Sequence, residues 1–151
     1  MRGSIRPFGR LNGWRSSLER RVPSIVTRGA LFRRPWLRMI VYKIVATKEW
    51  AQAEAAGVFE GASADRADGF IHFSTAEQAP ETAAKWFAGR SDLTLAAVDA
   101  AALGESLRWE PSRGGALFPH FYAVLPMSAV VWARPLPLGA DGAHVFGSLE
   151  A

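Results

Sequence analysis

The sequence predicts an α+β domain with a mostly antiparallel sheet. Three observations carry that prediction. Apolar, β-branched runs of strand length recur along the chain, as in Ile40-Val41-Tyr42-Lys43-Ile44-Val45-Ala46. Only two or three short segments have helical character. Strands and helices do not alternate strictly, as a doubly wound parallel fold would require.

The elements follow in order. After the strand at 40–46, Thr47 is placed to cap a helix through Trp50 to Ala56, and Gly57 to end it. Val58-Phe59 reads as a short extended piece. Residues 63–68 read as a polar loop closing on Asp68-Gly69, a turn signal. Phe70 to Phe73 is a strand. Ser74-Thr75-Ala76-Glu77 fits a capping box, so a helix should begin there; Pro80 gives either a kink in it or a short first turn followed by a helix from about Pro80 to Ala88, and Gly89 closes it. Leu93 to Val98 is a strand and Asp99 to Gly104 a helical turn. Leu107 to Glu110 alternates as a half-buried strand does. Residues 111–115 form a loop. Pro119 lacks an N–H, which places its segment at a sheet edge or in a loop. Ser128 to Arg134 is a strand, Asp141-Gly142 a turn, and Val145-Phe146 a last short strand.

Charge divides the chain near Met39. Residues 1–38 hold ten arginines against one acid, net +9, whereas residues 39–151 hold eight basic and thirteen acidic side chains, net −5. The high pI therefore belongs to the arm, and the mildly acidic body carries no charge signature for nucleic acid. The arm has three readings: translation starts at Met39, the arm is a disordered basic segment that binds RNA, or it is an Arg-rich targeting segment. A nucleic-acid partner is expected only if the arm is real. The body, 39–151, is one domain. With no cysteine in the chain, disulfides, thiol nucleophiles and Cys-based metal motifs are excluded. From Gly114 to Ala133 no residue is charged, but Gly114-Gly115, Pro119, His120 and Pro126 interrupt the run, which reads as loop plus strand rather than a membrane span. A cytoplasmic location and no membrane partner are expected.

Two short segments hold two of the three histidines, 48 residues apart: Asp68-Gly-Phe-Ile-His-Phe-Ser-Thr75 and Leu117-Phe-Pro-His-Phe-Tyr122. An imidazole among apolar residues needs hydrogen-bond partners, because an unpaired buried polar group costs about 1–3 kcal/mol. In an extended chain His72 and Ser74 share one face and Ile71 and Phe73 the other. His72, Ser74 and the amides at the entry of the next helix, beside Thr75, would suit an anion such as phosphate. Phe118, His120 and Tyr122 likewise share a face, and this pair of polar side chains suits a ribose hydroxyl or a proton transfer. Arg108 and Glu110 point one way with Trp109 opposite, and together with Arg113 they offer anion contacts and an acid or base. The competing reading makes both histidines structural and the charges a solvated face. No spacing supports a metal site, and no Gly-x-Ser-x-Gly elbow, Walker A loop or Rossmann fingerprint is present.

Ile-Val-Tyr-Lys-Ile-Val at 40–45, Asp-Gly-Phe-Ile-His-Phe-Ser-Thr-Ala-Glu-Gln at 68–78, Leu-Arg-Trp-Glu at 107–110 and Phe-Pro-His-Phe-Tyr at 118–122 together resemble the DUF952 family, small and mainly bacterial proteins. The resemblance covers about 40–140. It implies an ADP-ribosyltransferase-like fold, in which a small split sheet binds NAD in the cleft between its halves. By this analogy His72 holds the nicotinamide ribose, His120 or Tyr122 stacks on the nicotinamide, and Glu110 is a loose match for a glutamate of some members. The resulting expectation is a cleft for a small nucleotide-type ligand, NAD first. Catalytic groups would be His72, His120 and Glu110, and ligand contacts Ser74, Thr75, Tyr122, Arg108 and Arg113. The chemistry would be ADP-ribosyl- or glycosyl-type transfer, with a non-catalytic binding module as the alternative.

Overall fold

The structure, a computed structural model, describes residues 38–149. Apart from Arg38, the basic arm lies outside the described residues. Among the described residues, eight strands form three antiparallel sheets. One joins β1 (Ile40–Ala46), β4 (Leu93–Asp99) and β8 (Val130–Pro135) in the order β1-β4-β8. A second joins β3 (Ile71–His72), β5 (Leu107–Pro111) and β6 (Leu117–Phe121) in the order β3-β6-β5. A ribbon pairs β2 (Val58–Phe59) with β7 (Leu125–Pro126). Among the described residues, three α-helices, α1 (Thr47–Ala56), α2 (Ser63–Asp68) and α3 (Ala79–Trp86), complete the α+β fold.

The first sheet is buried on both faces, which explains why β1 and β4 read as continuous apolar runs. Val41, Val45, Ala96 and Val98 face a core shared with Trp50 of α1, Phe59, Ile71, Phe73 and Phe121. Tyr42, Ile44, Leu93, Leu95 and Ala97 face a second core closed by Ala79 and Ala83 of α3 and by Leu136. Lys43 lies between Val41 and Val45 on the first face, and there it is 5% exposed.

Several local expectations are corrected. Thr47 does not cap α1; its hydroxyl accepts from Thr94 Oγ1 instead, and the N-cap position is Ala46. Residues 63–68 are helix α2 rather than loop, because Asp65 Oδ2 accepts from the Ala62 N–H at its start and Gly69 ends it at φ 85°. Of the two expectations for 74–88, the helix that begins at about Pro80 is the one observed, as α3 starts at Ala79; the reciprocal capping pair is Thr75 with Gln78, one residue later than the capping box suggests. Ser74 pairs instead with Tyr42 through two backbone bonds, which ties the end of β3 to β1. Residues 145–146 form no strand; the C-terminal loop closes through an isolated bridge between Leu138 and His144.

Pro119 occupies the central strand β6, not an edge or loop. Its carbonyl accepts from Phe73 N–H, so its nitrogen faces the same side, just beyond the two-residue β3. The missing donor falls at the last rung of that ladder, where the Phe73–Pro119 bond still forms, and the sheet loses little. The same register makes His72 and His120 direct cross-strand partners in a non-hydrogen-bonded pair, where facing side chains approach most closely.

Leu95→Ala removes a fully buried side chain from the centre of the first sheet. It is expected to cost about 2–5 kcal/mol, whereas Lys48→Ala on the exposed side of α1 should stay within about 0.5 kcal/mol. Denaturant melts of the two variants check this.

Candidate functional site

The site is organised around Asp65, which is 2% exposed. Its Oδ1 accepts from Lys43 Nζ at 2.8 Å, from His72 N–H at 3.0 Å and from His72 Nδ1 at 2.7 Å. Its Oδ2 accepts from Ala62 N–H and lies 2.8 Å from Lys43 Nζ. Burial pushes the Asp65 carboxyl up, but the His72 hydrogen bonds and the Lys43 charge outweigh it and hold the group well below the usual carboxylate range. Burial also pushes the Lys43 ammonium down, and Asp65 offsets part of that. His72 Nε2 meets Asp68 Oδ2 at 3.0 Å, so each ring nitrogen faces a carboxylate; the ring donates to both when it carries its second proton.

His120 is held differently. Its Nδ1 lies 2.8 Å from Glu110 Oε2, which also accepts from Tyr122 Oη at 2.7 Å. Those bonds, from Tyr122 first and His120 second, lower the Glu110 carboxyl, and the Tyr122 phenol is raised by the same contact. With Nδ1 bound to the carboxylate, Nε2 is the nitrogen left for a ligand. Phe70 stacks on the His120 ring at 4.2 Å and touches the His72 and Tyr122 rings, and the two histidine rings lie 5.6 Å apart. The Arg108 guanidinium covers the outer face of this group, 4.6 Å from the Tyr122 ring.

A third group is built from Ser74, Thr82 and Arg113. Ser74 Oγ lies 3.1 Å from Thr82 Oγ1, which accepts from Arg113 Nη2 at 2.9 Å. Arg113 sits in the tight β5–β6 turn, where Gly114 and Gly115 take φ of 63° and 81°, and its guanidinium lies over the Phe118 ring at 4.8 Å. A weaker contact at 3.4 Å joins it to the exposed Glu81.

A cleft of about 610 Å³ runs along these groups between β1, α2, β3, α3 and the β5–β6 turn. This is the size of a typical small-ligand pocket. Of the residues expected from sequence, His72, Ser74, Arg113 and His120 line it. Glu110 and Tyr122 stand behind His120 and outside the wall, Arg108 lies beyond Tyr122, and Thr75 belongs to the α3 cap. The wall also carries Lys43, Asp65, Thr82 and Trp86, which sequence reasoning passed over. A lysine inside an otherwise apolar strand was the available signal for the first.

Asp65→Asn keeps an acceptor for the backbone but leaves Lys43 buried without its counter-charge. It is expected to cost about 3–5 kcal/mol. Because the folded-state pKa of Asp65 is depressed, its contribution is present above the unfolded carboxylate value, about 3.9, and is lost as pH falls through the folded value. Acid unfolding of the wild type should therefore show a stability slope below about pH 4 that is shallower in Asp65→Asn, read by circular dichroism.

Solved structures share the fold of this chain. The crystal structure of the protein CC0527 from Caulobacter crescentus is 55% identical over 70% of this chain and 93% of its own, with a TM-score of 0.68. A double mutant of the same protein gives 54% identity, 70% and 93% coverage and a TM-score of 0.67. Its solution NMR structure gives 55% identity, 70% and 90% coverage and a TM-score of 0.64. No curated protein matches the chain. Residues 44–133 match the family model described as "Protein of unknown function (DUF952)", and the chain belongs to that family.

Proposed function

We propose that the cleft binds a nucleotide-type ligand, with NAD or ADP-ribose the first candidates, and that the fold is used as the ADP-ribosyltransferase-like folds use theirs. The observation that carries this reading is the cross-strand histidine pair. Two imidazoles 5.6 Å apart are each oriented by a carboxylate and line one cleft with Arg113. Orientation by a carboxylate is what a proton-handling or ligand-holding histidine needs.

The residues present suit such a ligand. Arg113, held by Thr82 and Phe118, supplies a cation for a phosphate, and Ser74 and Thr82 supply hydroxyls. In ADP-ribosyl- or glycosyl-type transfer, the C1′–nitrogen bond of NAD breaks and nicotinamide leaves with the electron pair. An incoming hydroxyl oxygen bonds C1′, and its proton passes to His120 Nε2. Glu110, behind His120, orients the ring through its contact with Nδ1 and leaves Nε2 facing the ligand.

The rival reading, a non-catalytic module with structural histidines, has one observation in its favour: both His72 nitrogens are already engaged by carboxylates.

Calorimetry on the full chain with NAD, ADP-ribose and AMP separates the two. The proposal expects binding that Arg113→Ala weakens roughly 10- to 100-fold, the loss of one charge-assisted contact of about 1.5–3 kcal/mol. A His72→Ala/His120→Ala protein with wild-type affinity for every nucleotide tested would refute the pocket. Histidine variants that only melt earlier support the structural reading.

A further inference from the structure

The three polar groups and one aromatic side chain of the cleft follow in a fixed spatial order. His72 and Ser74 stand one pleat apart on the same face of the chain, about 7 Å. Ser74 touches Thr82 on α3 at 3.1 Å. Thr82 and Trp86 are four residues apart on α3, so Trp86 stands one helical turn, about 6 Å, further along the same side. All four line the cleft. Trp86 is 65% exposed, the largest exposure of any big apolar side chain among the described residues, and Lys85 Nζ lies 5.3 Å from its ring. Phe87 and Arg90 lie beside it on the same wall.

An indole 65% exposed at the end of a cleft gains little from burial in the fold, and aromatic rings of this kind are the ones on which bases stack. Placed one turn beyond the Thr82–Arg113 anion contacts, it completes a sequence of subsites: histidines, then hydroxyls and a guanidinium, then an aromatic platform. We infer that Trp86 is the base-stacking subsite of this cleft, and that the occupant is an aromatic-base nucleotide. Its phosphate lies between Ser74, Thr82 and Arg113, its base on Trp86, and its far end against His72 and His120. This inference rests on the nucleotide-cleft reading above and adds the ligand's direction and the requirement for a base.

The test compares AMP with ribose 5-phosphate and ADP-ribose on the full chain by calorimetry, in wild type, Trp86→Ala, Trp86→Phe and Arg113→Ala. Wild type is expected to prefer AMP to ribose 5-phosphate. Trp86→Ala should weaken AMP and ADP-ribose roughly 5- to 100-fold, the scale of one base–aromatic stack, and leave ribose 5-phosphate within about twofold. Trp86→Phe should retain most of the AMP affinity, because the phenyl ring still offers a face. Arg113→Ala should weaken all three probes. If Trp86→Ala leaves the AMP preference intact while Arg113→Ala weakens every probe, the stacking inference is overturned and the cleft reading stands. If no probe binds wild type, both are overturned.

Discussion

One buried carboxylate organises this molecule. Asp65 joins three segments through its side chain: β1 through Lys43, the start of α2 through Ala62 and β3 through His72. Taking a carboxylate and an ammonium out of water is costly, and only complete hydrogen bonding of the carboxylate repays it. The four donors around Asp65 meet that demand. They also fix the orientation of His72, because ring and backbone of that residue are bound to the same oxygen. The position of the first histidine in the cleft is therefore a consequence of folding, and it cannot shift without exposing a buried charge.

The second histidine is set by sheet register. His120 opposes His72 across the β3–β6 ladder, and Glu110 and Tyr122 hold it from behind. The two imidazoles thus have unequal surroundings. One is clamped between two carboxylates, and the other keeps a nitrogen for the cleft. That asymmetry, in the proposed reading, divides labour between a fixed group and a proton-handling group. In the proposed reading, the anion contacts at Thr82 and Arg113 and the indole at Trp86 extend this pair into a binding surface along α3.

Much of the fold was legible because its signals are local. The seven-residue strand at 40–46 and the strand from Leu93 follow from β-branched and apolar runs, and the family follows from four short motifs. What was not legible depends on partners distant in sequence. Residues 63–68 looked like a loop because their only core contact is Asp65, whose partners Lys43 and His72 lie on other elements. Pro119 looked like an edge residue because nothing local reveals that β3 ends opposite it. Of the site, the histidines stood out by their apolar setting, and Arg113 by its charge. Thr82 and Trp86 did not, since each looks ordinary within its own element, and Lys43 offered only the signal of a charge in an apolar strand; all three meet the other groups only once the elements pack.

The most direct measurement is residue-resolved NMR of the full chain titrated with ADP-ribose. The account predicts saturable shifts at His72, Ser74, Thr82, Trp86, Arg113 and His120, with the amides of β8 (Val130–Pro135) unmoved. Saturable shifts confined to β8 or to the turn at Asp141-Gly142, or none at any concentration reached, would contradict it.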